Sequence, residues 1–257
     1  MKTFLRRSFL KALGLISLFK KGEGIPIFTY HSIDNSNSFI SISPQVFRKQ
    51  IEYLAKNGYK TLTLSQLEAQ QSQREKICVL TFDDGFKSVY ENAFRVLKEF
   101  SFTATIFLTT GYINSTFVNF PMLNWDEIEE MNAYGIEFGA HTVTHPFLTR
   151  LTQNEALKEI LDSKKIIEKR LGKKVNFFCY PYGDYNEVTK KIVKAAGFKG
   201  ACTIEFGRWK AGDDCFAIKR LGLNRISPHD YTAQILFFKR CLDGTAEIYR
   251  ELKLCLK

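Results

Sequence analysis

Seven short apolar runs punctuate the chain, at 25–30, 77–82, 103–108, 136–139, 175–180, 200–204 and 218–223. Each has the length of a buried strand, and between them apolar positions recur at helical spacing. Ser43-Pro44 opens one helical stretch with Phe47, Ile51 and Leu54 on one face, and Gly58 closes it. Asn124 with Glu127, Thr152 with Glu155 and Asp184 with Glu187 have the spacing of capping boxes at helix starts. The stripe Leu157, Ile160, Leu161, Ile167 and Leu171 predicts a helix over Gln153–Leu171, ended by Gly172. Alternating strands and helices without internal repeats predict one α/β domain, 25–257, with parallel strands. About seven such units favour a closed barrel over an open sheet.

In barrels of this kind chemistry gathers at the carboxyl ends of strands. His31, Asp83-Asp84-Gly85, His141 and Pro181-Tyr182-Gly183 each follow a predicted strand. Adjacent carboxylates at a strand end point in different directions, so one can ligate a metal while the other takes a proton. A solvated Asp-Asp-Gly turn is the alternative use of those residues. His141 and His145 are four residues apart, which places two imidazoles together on a helical turn. Zinc-protease helices carry glutamate after the first histidine, but Thr142 stands there, so a base must come from elsewhere and Asp83 is available. A His-His-Asp set leaves coordination positions open for water and substrate. Hydrolysis by activated water is the chemistry this set suits.

Composition changes the picture in two respects. The chain carries a net charge of +10, and residues 1–24 hold six Lys or Arg against one Glu, which is +5 of that total. No basic cluster remains within the domain, so a nucleic-acid partner is not expected. The charge suits an anionic membrane surface or envelope polymer instead. Arg6-Arg7-Ser8-Phe9-Leu10-Lys11 resembles a twin-arginine export signal, and the apolar run 12–19 behind it is too short to span a membrane. Segment 1–24 therefore predicts export or peripheral membrane contact at the cell envelope, with a cytoplasmic protein as the alternative. The six cysteines contain no C-x-x-C pair and read as small buried hydrophobes; spacing does not establish a Cys202–Cys215 bridge.

Thr81-Phe82-Asp83-Asp84-Gly85, His141-Thr142-Val143-Thr144-His145 and Tyr180-Pro181-Tyr182-Gly183 resemble the first three motifs of the polysaccharide deacetylases, the carbohydrate esterases that share the NodB homology domain. The likeness covers about 25–225. It implies a distorted (β/α) barrel of about seven units and the removal of N-acetyl groups from amino sugars of an envelope or extracellular polysaccharide. It also implies Asp83 as general base, with Asp84, His141 and His145 holding one divalent metal. Zinc leads among the metals, and cobalt, nickel, manganese and iron are admitted by the ligands. The backbone N–H of Tyr182 would face the oxyanion.

The chain departs from the family pattern in three places. Phe178-Cys179 stand where an Arg usually orients the base, the Asp-Trp motif has no clear counterpart, and the late Leu-x-His that supplies the acid is missing. Phe28-Thr29-Tyr30-His31-Ser32 resembles the opening of the circularly permuted poly-N-acetylglucosamine type, in which an early His takes the acid role. That implies His31 as general acid, with His229 as the other candidate. An O-acetyl esterase or a deacetylase of small or lipid-linked sugars is the nearest rival, and the rim loop 109–123 would decide between them. A glycan-binding protein without strong turnover is the rival of another class.

Overall fold

A computed structural model describes residues 23–68, 76–223 and 230–246. Of segment 1–24 only Glu23 and Gly24 fall within that range; the export motif, His229 and Cys255 lie outside it. The strands are β1 (Ile27–Tyr30), β2 (Lys60–Leu62), β3 (Ile77–Phe82), β4 (Thr105–Leu108), β5 (Thr116–Phe117), β6 (Phe120–Pro121), β7 (Glu137–Ala140), β8 (Phe177–Cys179), β9 (Gly200–Phe206) and β10 (Ile218–Gly222). Seven of them close in the order β1-β10-β9-β8-β7-β4-β3 and back to β1, all parallel. The closed barrel expected from the sequence is therefore the observed one. β2 pairs with β3 only over residues 77–79, and β5–β6 form a separate antiparallel hairpin.

All six residues of β3 are buried, because the strand packs inward against the barrel interior and outward against helices. Alternation sorts the side chains: Ile27, Val79, Phe107, Cys179, Cys202 and Ile218 fill the interior, while Phe28, Tyr30, Leu80, Phe82 and Phe178 meet the helical layer. That layer consists of α1 (Pro44–Lys56), α2 (Leu64–Glu68), α3 (Arg95–Glu99), α4 (Trp125–Tyr134), α5 (Gln153–Leu171), α6 (Glu187–Ala195) and α7 (Tyr231–Asp243). Ser43 caps α1 by accepting from the Val46 N–H, and the boxes at Asn124/Glu127 and Thr152/Glu155 both form. The third expected box does not. Asn186 with Thr189 caps α6, and Asp184 instead accepts from the N–H and hydroxyl of Thr149. Cys202, buried, and Cys215, exposed, are free thiols with no bridge between them. No helix among the described residues is long and apolar enough to cross a membrane.

Gly139 on β7 lies two residues before His141, and a Cβ there would stand 2.5 Å from the Phe107 ring and 2.9 Å from the Phe177 carbonyl. Gly139→Ala should therefore cost roughly 1–3 kcal/mol by overpacking, a fall of about 2–10 °C in Tm. An unchanged melting curve would show that the barrel relaxes freely at this level.

Candidate active site

Asp83 continues the β3 ladder, its N–H donating to the Tyr30 carbonyl at 3.0 Å. Asp84 then takes a left-handed backbone (φ 71°), so the two carboxylates diverge: Asp83 turns to Arg220 and Asp84 to the histidines. His141 ends the β7 ladder by donating to Leu108 O at 3.0 Å. The following residues are not the helical turn that the spacing suggested. Thr142 and His145 both have positive φ (66° and 60°), and the Thr142 hydroxyl accepts the His145 N–H at 3.0 Å. Glu159 on α5 holds this loop from outside, its carboxylate accepting from the Val143 and Thr144 N–H groups at 2.8 and 2.9 Å. The loop brings the imidazoles together as a helix would, by a different backbone.

Asp84 Oδ1 lies 3.4 Å from His141 Nε2 and 3.3 Å from His145 Nε2, and the two nitrogens are 3.2 Å apart. Ligands of a tetrahedral zinc at about 2.0–2.2 Å stand about 3.3–3.6 Å from one another, so this triangle is close to what a divalent ion needs. The His141 Nδ1–H donates to the Cys179 carbonyl at 2.7 Å, which leaves Nε2 with the lone pair a ligand needs. Burial, with the neighbouring His141, pulls His145 down to about 4, so its imidazole is neutral near pH 7. Burial alone would raise the Asp84 carboxyl, but the His141 hydrogen bond and the nearby histidine charges hold it below its usual value. Asp84, His141 and His145 thus form a group able to hold a metal.

Asp83 is engaged differently. Arg220, itself 1% exposed, meets both Asp83 oxygens at 2.7 Å in a fork-to-fork pair. Its other N–H groups reach Thr81 Oγ1, the Thr203 carbonyl and Cys179 Sγ at 3.0, 3.0 and 3.2 Å. Burial opposes ionisation of Asp83, yet the Arg220 charge and hydrogen bonds hold its carboxyl well below the usual range. Arg220 is the functional residue that the sequence did not reveal. It arrives from β10 and stands against Cys179, at the motif whose Arg is missing. That gap was the signal that a guanidinium had to come from elsewhere.

His31 Nε2 lies 3.9 Å from Asp83 Oδ2, with the imidazole about a fifth exposed and the carboxylate nearly buried. The histidine therefore sits beside Asp83 at the mouth, rather than across a wide gap from it. Tyr182 occupies a turn in left-handed conformation (φ 58°). The turn's hydrogen bonds run from Gly183 N–H to Tyr180 O and from Asp184 N–H to Pro181 O, which leaves the Tyr182 N–H outside them. The Tyr182 ring packs on His145 and stacks on Phe147, with centroids 4.4 and 4.1 Å apart. Asp84, Thr142, His145 and Tyr182 all hold backbone that non-glycine residues rarely adopt, and such strain gathers at functional sites.

These groups line a cleft of about 640 Å³, within the range of small-molecule sites. Phe39 (75% exposed) and Val118 (66%) stand on its rim. Phe117 of β5 packs against His145 at 5.3 Å, so the 109–123 region does form part of the wall.

The sequence model of the family described as polysaccharide deacetylase matches residues 70–201. YxkH of Bacillus subtilis (strain 168) is 32% identical over 213 residues, covering 81% of this chain and 74% of that protein. The poly-beta-1,6-N-acetyl-D-glucosamine N-deacetylase of Staphylococcus aureus (strain MSSA476) is 29% identical over 64% of this chain, which spans 61% of that relative's length. Among solved structures, IcaB from Ammonifex degensii superposes with a TM-score of 0.76 at 26% identity, covering 85% of this chain and 98% of the other. The Streptococcus pyogenes deacetylase PplD, in complex with acetate, gives 0.73 at 26% identity, covering 83% and 99%.

Removing Arg220 alone would strand a buried carboxylate, so Arg220→Met should lose roughly 3–5 kcal/mol of stability. Adding Asp83→Asn should recover part of that loss, because the charge left unpaired is removed. Strictly additive losses in chemical denaturation would show that the two groups do not depend on each other.

Proposed function

The chain belongs to the polysaccharide deacetylase family, and we propose that it is a metal-dependent hydrolase removing N-acetyl groups from amino sugars of an envelope or extracellular polysaccharide. The observation that carries this reading is the divergence of the two carboxylates: Asp84 joins both histidines, while Asp83 is held ionised by Arg220. Asp84, His141 and His145 would hold a divalent ion, zinc leading among those the donors admit, which would supply Lewis acidity toward the acetamide carbonyl and acidify water. Asp83 accepts the proton of the attacking water as general base. The Tyr182 N–H donates to the carbonyl oxygen as that atom gains negative charge. His31 gives a proton to the departing nitrogen, which leaves poorly as an anion. An alcohol needs that proton less, so a placed acid favours amides over esters.

The substrate class is supported by the Staphylococcus aureus relative, whose name specifies a β-1,6-linked N-acetylglucosamine polymer. We place the protein at the cell envelope through its basic N-terminal segment. Arg6→Lys with Arg7→Lys should then retain it in the cytoplasm, and unchanged fractionation would remove the twin-arginine route.

The test of the function is acetate release from β-1,6-linked N-acetylglucosamine oligomers by metal-loaded protein. Asp84→Ala should lose metal. Asp83→Asn should keep metal and lose turnover, and His31→Ala should keep metal while losing about 10²–10⁴-fold on the amide. The His31→Ala loss should be much smaller on an activated ester. Equal metal loss in the two Asp variants would overturn the division of roles.

A further inference from the structure

Most polar groups on the floor of the cleft already have partners. The Arg220 guanidinium is engaged on all sides by Asp83, Thr81, Thr203 and Cys179. The Thr81 hydroxyl donates to Phe28 O at 2.8 Å, and the Tyr180 hydroxyl to Phe216 O at 3.1 Å. Besides Nδ1 of His31 and of His145, Thr29 is left without a partner. It is 6% exposed, it lines the cleft, and its Oγ1 is buried without a hydrogen-bond partner.

Strand register explains why that hydroxyl faces open space. Thr29 lies opposite Thr81 on β3 and opposite Gly222 on β10. The Thr81 side chain is engaged by its own partners, and Gly222 has none, so nothing from either neighbour reaches Thr29. Gly222 lines the same cleft. A buried hydroxyl left unpaired is unfavourable, and a hydroxyl or oxygen of a ligand would satisfy it.

The ring of strands identifies which part of a ligand that is. The metal-binding triad sits on the loops after β3 and β7, whereas Thr29 and His31 share one face of β1, which neighbours β3 and has β10 on its other edge, away from β4 and β7. A substrate with its carbonyl at the triad and its nitrogen at His31 extends its sugar, not its acetyl methyl, over β1 and β10. We infer that Thr29 is a specificity-determining residue whose hydroxyl hydrogen-bonds the ring hydroxyl on the carbon next to the acetamido carbon, the 3-hydroxyl of an N-acetylglucosamine unit. This rests on the N-deacetylase reading of the site.

The test compares metal-loaded wild type, Thr29→Val and Thr29→Ser on N-acetylglucosamine oligomers, on their 3-deoxy analogues and on 4-nitrophenyl acetate. Thr29→Val should lose about tenfold or more in kcat/KM on the parent glycan, and Thr29→Ser should restore most of it. The Thr29→Val loss should vanish on the 3-deoxy glycan, and ester turnover should change by less than about twofold. An equal loss on parent and deoxy glycans would make Thr29 structural, and no loss on either would remove it from recognition; both outcomes overturn the inference while leaving deacetylation intact. A wild type that cleaves the ester but releases no acetate from either glycan overturns the deacetylase reading and this inference with it.

Discussion

One buried ion pair organises this site. Neither Arg220 nor Asp83 could be withdrawn from water alone without a large desolvation cost, and even a good pair repays that cost only if the remaining protons are met. Here they are met by residues of other strands: Thr81 on β3, Cys179 on β8 and Thr203 on β9, with the guanidinium itself on β10. One side chain therefore links its own strand to three others inside the barrel and ties the closure of the sheet to the position of Asp83. The pair also keeps Asp83 ionised in a place where burial would otherwise protonate it.

The same pair decides which carboxylate is left without a fixed counter-charge. Asp83 has a full counter-charge from the chain, whereas Asp84 faces only imidazoles, one of them neutral near pH 7. Negative charge not balanced by a fixed cation is what a divalent ion needs, and it is concentrated on Asp84. Left-handed backbone at Asp84 makes the separation geometric as well as electrostatic, since an extended residue there would continue the β3 ladder instead. The left-handed residues of the histidine loop are held by Thr142 and by Glu159, so the strain is supported by hydrogen bonds from within the loop and from α5.

Much of this was legible in the sequence, for reasons that also explain what was not. Strands buried on both faces read as apolar runs, and β3 matched its run to the residue. β2 escaped because it is three residues long and begins at an exposed lysine, and β5–β6 because each has only two residues. The Asp84–His141–His145 cluster was readable since its members sit within two short strings. Arg220 was not, because its partner lies 137 residues away and a single charge in a strand looks like a solvent-facing residue. Glu159 was hidden for the same reason, as one more acid on an amphipathic helix. His141 and His145 show the limit of spacing: four residues fixed the proximity of the rings, but the Thr142 hydroxyl and two left-handed residues set the backbone. At Asp184 two overlapping caps were available, and Thr149 took the aspartate while Asn186 took the helix.

Barrel closure also explains how residues from the start and the end of the barrel's chain order meet at one mouth. In an open sheet the first strand lies where the winding leaves it, but in a closed ring it has two neighbours like every other strand. β1 pairs with β3 from Ile27↔Val79 to Tyr30↔Phe82, so the residue after each strand, His31 and Asp83, emerge side by side. On its other edge β1 pairs with β10, the last strand among the described residues and the source of Arg220. Asp83 is thus flanked by contributions from the first and last strands of the barrel, adjacent only because the ring is closed. Each strand delivers its following residue to the same mouth, so the order of motifs along the chain is free to vary while their order around the ring is not.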